Sequence, residues 1–235
     1  MKERFHPIST AMLLVLLFAA ARPGFSQQDP KTVTGIRLDA PWKATIYALA
    51  RKKFIHPAWG WQHSERNYLL GIRLAQGDDL KIDTDVLFAA AFLHDMAAFM
   101  PCANPKMEHG DCAAQQSGAI LRSAGFPMEK LAGVQAAERG HMFYSNPGKT
   151  PEAIVLHDAD SLDFLGAIGS ARIFSLTGEK SASFASAVTT LRAFLHQIPG
   201  RLITRTGKRL GAARAAELRR YLQVLDAEDF GGKLM

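Results

Sequence analysis

Apolar residues recur along this chain at the three-and-four spacing of helices, and two-residue alternation is nearly absent. Asp39-Ala40-Pro41 reads as a helix start, with Asp39 able to cap and Pro41 near the first turn. Trp42, Ile46, Leu49 and Ala50 then share one face, and Lys52 and Lys53 lead out. His56-Pro57-Ala58-Trp59-Gly60-Trp61 is a break punctuated by proline and glycine. A second helix is predicted from about His63 to Ala75, ended by Gly77-Asp78-Asp79. A third starts near Asp83 and carries His94 and Asp95 towards its end. After a loop at 101–105, helices are predicted over about 110–123, 128–142, 151–174, 182–198 and 206–225. No internal repeat stands out. The loops are short, so the fold class is all-α, a compact helical bundle.

The N-terminus changes this picture. Lys2 and Arg4 make a basic start, Ala11 to Ala21 an apolar run, and Gly24 and Ser26 place small residues just before Gln27. That order reads as a secretory signal. The run is shorter than the roughly 20 residues a membrane span needs. An uncleaved anchor is the alternative; no cysteine follows the run to carry a lipid. The expected organisation is a signal segment over 1–26, a linker over 27–38 and one helical domain over 39–230. The expected location is exported, periplasmic or secreted, with no membrane attachment after cleavage.

With 48% hydrophobic residues the chain can build a core, so disorder of the whole is excluded. The net charge is +6; the first 26 residues hold a net +2 of it, leaving a mildly basic remainder. Arg201, Arg205, Lys208, Arg209, Arg214, Arg219 and Arg220 gather near the C-terminus. Acidic and apolar residues interrupt them, so they read as a solvated helix face and no specific nucleic-acid partner is expected. Cys102 and Cys112 are the two cysteines. Export favours a disulfide between them over two free thiols, and no Cys-x-x-Cys spacing supports a thiolate metal site.

The chemistry-bearing residues stand out by where they sit. His94 and Asp95 lie side by side in the apolar run from Val86 to Phe99. Burying an unpaired charge costs several kcal/mol, roughly, so such a pair needs a partner. A divalent metal satisfies both groups; a buried ion pair, or a helix-end histidine beside an unrelated aspartate, is the ordinary alternative. Asp158, Asp160 and Asp163 are packed among Leu, Ile and Phe, where carboxylates repel one another unless a cation or a helix cap takes them up. His63, His109 and His141 complete a dispersed set. His63 alone reads as a packed ring or a helix-end hydrogen-bonder, and only the set makes it a candidate ligand. His109 and His141 read as ligands of a second ion or as donors to a phosphate, with a helix C-terminal histidine the alternative for His141. Gly166 and Gly169 suggest close approach of another helix.

Several stretches together resemble the HD superfamily of metal-dependent phosphohydrolases. His63-Ser-Glu-Arg66 looks like the family's first histidine and its helix, and Ala89-Ala-Ala-Phe-Leu-His-Asp95 like its name-giving pair. Asp158-Ala-Asp-Ser-Leu-Asp-Phe-Leu-Gly-Ala-Ile-Gly-Ser-Ala-Arg172 is similar to the Asp-Ala-Asp-x-Leu-Asp run of one bacterial branch, as is the tail from Thr204 to Arg214. The resemblance spans about Trp59 to Leu225. It implies metal ligation by His63, His94, Asp95 and Asp160, with Asp95, His109 and His141 as catalytic residues. Asp95 would orient a metal-activated water; His109 and His141 would bind the phosphate or protonate the leaving oxygen. Arg66 and Arg172 are candidates for steadying Asp95 or the substrate charge. Mixed nitrogen and oxygen ligation suits Mn, Fe or Mg, with Zn allowed. The implied substrate is a nucleotide or other small phosphoester. The alternatives are an HD-type di-iron oxygenase and a non-catalytic metal- or nucleotide-binding module.

Overall fold

The computed structural model describes residues 30–229; the signal segment expected over 1–26 lies outside them. The helices are α1 (Pro41–Lys53), α2 (Trp61–Gly77), α3 (Thr84–Leu93), α4 (His109–Ala124), α5 (Leu131–Gly140), α6 (Pro151–Asp163), α7 (Gly166–Gly178), α8 (Phe184–Gln197) and α9 (Arg205–Glu228). Among the described residues there is no strand, and the all-α expectation holds. Residues 30–38, the described part of the expected linker, double back through a bridge between Lys31 and Arg37 and bury Ile36 and Leu38 against the core.

α3 is the hub. Its sequence is apolar on every side, so it is stable only when surrounded. Every residue from Val86 to Leu93 is buried, and α1, α2, α5 and α6 pack around it. Asp83 caps its start by accepting from the backbone of Asp85 and Val86. Trp42 of α1 meets Phe88 and Phe126 edge-on, at 5.5 and 4.9 Å between ring centroids. A second apolar cluster, including Ile173, Leu191, Leu218 and Leu222, joins α7, α8 and α9.

Polar ties hold the two parts together. Asp158 of α6 accepts from the backbone N–H of Ile203 and from both the N–H and the hydroxyl of Thr204. Thr204 in turn caps α9 through the N–H of Gly207. Asp158 thus anchors the start of a distant helix, not its own.

The helix expected over 151–174 is two helices. α6 ends at Asp163, and Gly166 opens α7 at φ +68°, in the left-handed region. The helical period continues across the break, so the pattern does not reveal it; the backbone reversal does. A Cβ on Gly166 would also lie 3.0 Å from Glu217 Oε2 and 3.3 Å from Arg214 Cβ, because α9 passes close by. Gly166→Ala is expected to destabilise the protein by about 1–2 kcal/mol, the left-handed penalty for an L-residue, seen as a lower urea midpoint. An unchanged midpoint would show that this corner relaxes freely.

Candidate metal centre

α3 stops one residue before the His-Asp pair, where the sequence pattern carries the helix through it. His94 is its C-cap, and Asp95 leaves the helical region at φ −94°, ψ 7° to start a short 3-10 turn over Met96–Ala98. The two side chains are thereby freed from regular helical spacing. His94 Nδ1 donates to the Ala91 carbonyl at 2.9 Å, so its Nε2 faces inward as a lone pair.

The other groups converge from four helices. His63, buried on α2, has Nε2 3.0 Å from Asp160 Oδ1 and 3.3 Å from His94 Nε2. Its Nδ1 donates to Asp163 Oδ2 at 2.7 Å. Asp160 and Asp163 lie three residues apart on α6, on one helix face. His109 is the first residue of α4, where Glu108 caps the helix. Gly110 lets that end press against α5, since a Cβ there would lie 2.5 Å from the Glu138 carbonyl oxygen. His109 Nε2 then donates to Asp95 Oδ1 at 2.8 Å. His141, just past α5, donates from Nδ1 to the Glu138 carbonyl at 2.6 Å, and its Nε2 lies 3.7 Å from Asp95 Oδ1. All six residues singled out in the sequence surround one cavity.

The cavity holds too many acceptors. His63, His94 and His141 each spend the Nδ1 hydrogen outside it, and Asp95 and Asp160 add carboxylate oxygens. The donors are His109 and the amide of Asn67, which reaches His63 Nε2 at 3.0 Å and His94 Nε2 at 3.4 Å. His141 Nε2 and Asp160 Oδ2 are buried without a hydrogen-bond partner among the described residues. Two imidazole lone pairs 3.3 Å apart beside carboxylates need a proton or a cation between them. Burial opposes a charge on His94, but Asp95 and Asp160 outweigh it and raise the imidazole to about 9. A divalent cation meets the same electrostatic demand, and the donor set fits one. His63, His94 and Asp160 each offer a ligand atom within 4.8 Å of the others, as do His94, Asp95 and His141.

The arginines act elsewhere than on Asp95. Arg66 grips Asp163 with Nε and NH2, at 2.9 and 2.8 Å. Arg172 NH1 lies 3.2 Å from Asp163 Oδ2, and its Nε donates to the Ala58 carbonyl. Asp163 is therefore the support behind His63, a carboxylate that fixes the ring and its tautomer. The sequence reading missed this role, and it missed Asn67. The four-residue step from His63 to Asn67 was the available signal, because it puts both on one helix face.

Cys102 and Cys112 are joined in a disulfide that closes the loop containing His109. Glu138 is buried beneath the same wall. Burial pushes its carboxyl up to about 8, while Ser117 donates to Oε2 at 2.7 Å. A raised carboxyl contributes stability that is complete below its ordinary value of 4.5 and is lost as pH climbs towards 8. With a chelator present, this contribution should fall between pH 5 and 8, so the stability of Glu138→Gln should change less steeply in the falling direction than that of the native chain in denaturant melts. Parallel slopes for the two proteins would refute the assignment.

No protein-family model and no curated protein matches this sequence. Solved structures do. A protein from Lactobacillus plantarum is 25% identical with a TM-score of 0.63, covering 80% of this chain and 96% of that one. Bacillus subtilis YpgQ in complex with ADP is 20% identical with a TM-score of 0.61, covering 79% and 97%. A predicted HD superfamily hydrolase from an uncultured Thermotogales bacterium is 23% identical with a TM-score of 0.58, covering 80% and 93%. The similarity runs nearly the whole length of those chains. This chain therefore shares the fold of these proteins, a predicted HD superfamily hydrolase among them.

Proposed function

We propose that the protein is a metal-dependent phosphohydrolase acting on a nucleotide or other phosphoester. The observation that carries this reading is the excess of inward-facing acceptors around His63, His94, Asp95 and Asp160, which we assign as the metal ligands. Similar structures support it: one is a predicted HD superfamily hydrolase and one holds ADP. A bound Mn, Fe or Mg ion, or Zn, would polarise a phosphoryl oxygen and acidify a coordinated water.

The protein's own groups then divide the work. Asp95 accepts a hydrogen from the attacking water and orients it. His109 is partly exposed, and although burial opposes its charge, Asp95 raises its pKa, so it stays a donor towards a phosphate or leaving oxygen. Burial drives His141 down to about 4, and its Nδ1 hydrogen is spent on Glu138. It is a neutral acceptor at neutral pH, better suited to ligation than to protonating a leaving group.

One observation favours a second reading. Asp95 straddles two nitrogen pairs: Oδ2 is 3.4 Å from both His63 Nε2 and His94 Nε2, while Oδ1 faces His109 and His141. A carboxylate so placed suits two ions, the arrangement an HD-type di-iron oxygenase would need. Metal analysis with paired assays separates these. Phosphate release by the Mn- or Mg-loaded chain supports the hydrolase. Two irons with oxygen uptake support the oxygenase. Bound nucleotide without turnover supports a binding module.

We further infer export, with cleavage after Ser26. The basic, apolar and small-residue order supports it, as does the Cys102–Cys112 bridge, which suits an oxidising compartment. Mass spectrometry of the protein from its host should find Gln27 at or near the N-terminus. An intact Met1 in the membrane fraction would overturn the inference.

A further inference from the structure

The turn joining α1 to α2 is tied down more firmly than a connection needs. His56 Nδ1 accepts from the backbone N–H of Ala58 at 3.1 Å and of Trp59 at 3.3 Å. Its ring hydrogen therefore sits on Nε2, which donates to Glu179 Oε2 at 2.8 Å, at the end of α7. The imidazole also stacks on the Trp59 indole, 3.9 Å between ring centroids and 12° from parallel. A Cβ on Gly60 would collide with the His56 carbonyl oxygen, so the chain can turn this tightly only with glycine there. α7 supplies a second tie through Arg172, whose Nε donates to the Ala58 carbonyl. The same guanidinium donates from NH1 to the Asp163 carbonyl at 3.0 Å and pairs with the carboxylate that supports His63. The turn and the metal centre thus share one anchor.

These ties do not serve the core alone. Ile55 and Pro57 are exposed and Trp59 is half-buried. Trp59 instead lines a cleft of about 490 Å³ that reaches Asp95, Asp160 and His109. Phe164 and Phe194 share that wall, and Tyr144 and Thr190 add hydroxyls whose hydrogens go to Glu108 and to the Ser186 carbonyl.

We propose that Trp59 is the contact surface for the leaving-group side of the phosphoester, and that His56 and Glu179 are positioning residues that hold its indole at the cleft. The proposal rests on the hydrolase reading above and adds residues to it. A phosphoryl group must reach the acceptor cluster, so the remainder of the ester extends into the cleft, where the indole stands. An indole offers nothing to a phosphate, but it buries the carbon skeleton of an alcohol. A side chain already stacked and tied loses little freedom when a ligand arrives, so more of the contact appears as affinity. The bond from His56 to Glu179 crosses from the turn to α7, and its loss frees the imidazole and, with it, the indole.

The test uses the full chain loaded with Mn²⁺. Calorimetry compares phenylphosphonate with methylphosphonate, which differ only in the carbon group beyond phosphorus, and p-nitrophenyl phosphate reports turnover. Trp59→Ala should weaken phenylphosphonate about tenfold and raise KM to match. Glu179→Ala should shift the same two quantities about threefold, with the change falling on KM and not on kcat. Glu179→Gln, whose amide oxygen still accepts the Nε2 hydrogen, should match the native chain. Methylphosphonate should bind all four proteins alike, which damage to the fold or to the metal centre would not allow. Unchanged phenylphosphonate affinity in either alanine variant, equal losses for both phosphonates, or a Glu179→Gln chain as weak as Glu179→Ala would overturn the proposal and leave the hydrolase reading intact. Selective loss of phenylphosphonate without turnover of any ester would uphold the Trp59 wall and sink the hydrolase reading.

Discussion

Asp95→Ala should abolish phosphoester hydrolysis and weaken metal binding more than a hundredfold, while leaving the helical spectrum unchanged. The magnitude follows from position. Changing a group behind a metal ligand lowers affinity or activity about 10–100-fold, so removing the carboxylate that faces four imidazoles must do more. Burial would raise the carboxyl of Asp95, but His94 and His109 hold it well below the usual range, so it is ionised at working pH. Its loss leaves four imidazoles around a cavity with Asp160 as the remaining carboxylate of the set. The fold tolerates the change because Asp95 stands outside α3, is partly exposed, and packs no part of the apolar core. Inductively coupled plasma analysis after dialysis against Mn²⁺ gives occupancy, and phosphate release gives turnover. Wild-type occupancy together with wild-type turnover would end the assignment of Asp95.

What the sequence made legible follows a physical rule. His94 and Asp95 could be read because an imidazole and a carboxylate inside the apolar run 86–99 have no cheap explanation. Asp160 could be read for the same reason. Helix positions were legible wherever one face repeated, and the helical domain needed no strand to explain it. Three things were hidden. The corner at Gly166 does not interrupt the apolar period, so a reversal that depends on backbone dihedrals left no trace in it. Asp163 was visible as a costly buried acid, but not as the partner of His63, which lies a hundred residues earlier. The lining of the pocket beside the candidate metal centre was hidden for a related cause: Trp59 and Phe194 each look like ordinary core residues, and only the packing of α7 and α8 brings them to one pocket.

Asp163→Asn should be the most destabilising polar substitution near the site, and it should also weaken metal binding. Asp163 is buried and serves three groups: the His63 ring, the Arg66 fork and the Arg172 guanidinium. An amide of the same shape removes the negative charge and leaves Arg172, itself 3% exposed, as a buried cation without a counter-ion. Breaking a buried pair in this way costs about 3–5 kcal/mol. For a chain of this size that is a fall in melting temperature of roughly 10 °C. His63 would lose the carboxylate that fixes its tautomer, and metal affinity should drop about 10–100-fold. The sign of the pH effect provides an internal check. Burial would raise this carboxyl, but the His63 hydrogen bond and the Arg172 charge outweigh it and hold it below its ordinary value of 3.8. Its stabilisation is therefore present above pH 3.8 and is lost as pH falls through the depressed native value. The stability gap between wild type and Asp163→Asn should accordingly be full at pH 7 and close only in strong acid. Arg66→Met provides the comparison, since Arg66 is partly exposed and its loss leaves Arg172 paired. A smaller loss than for Asp163→Asn is expected there. If Asp163→Asn melts within 2 °C of wild type, on the order of 1 kcal/mol or less by the same scaling, and retains metal, the support assigned to Asp163 is wrong.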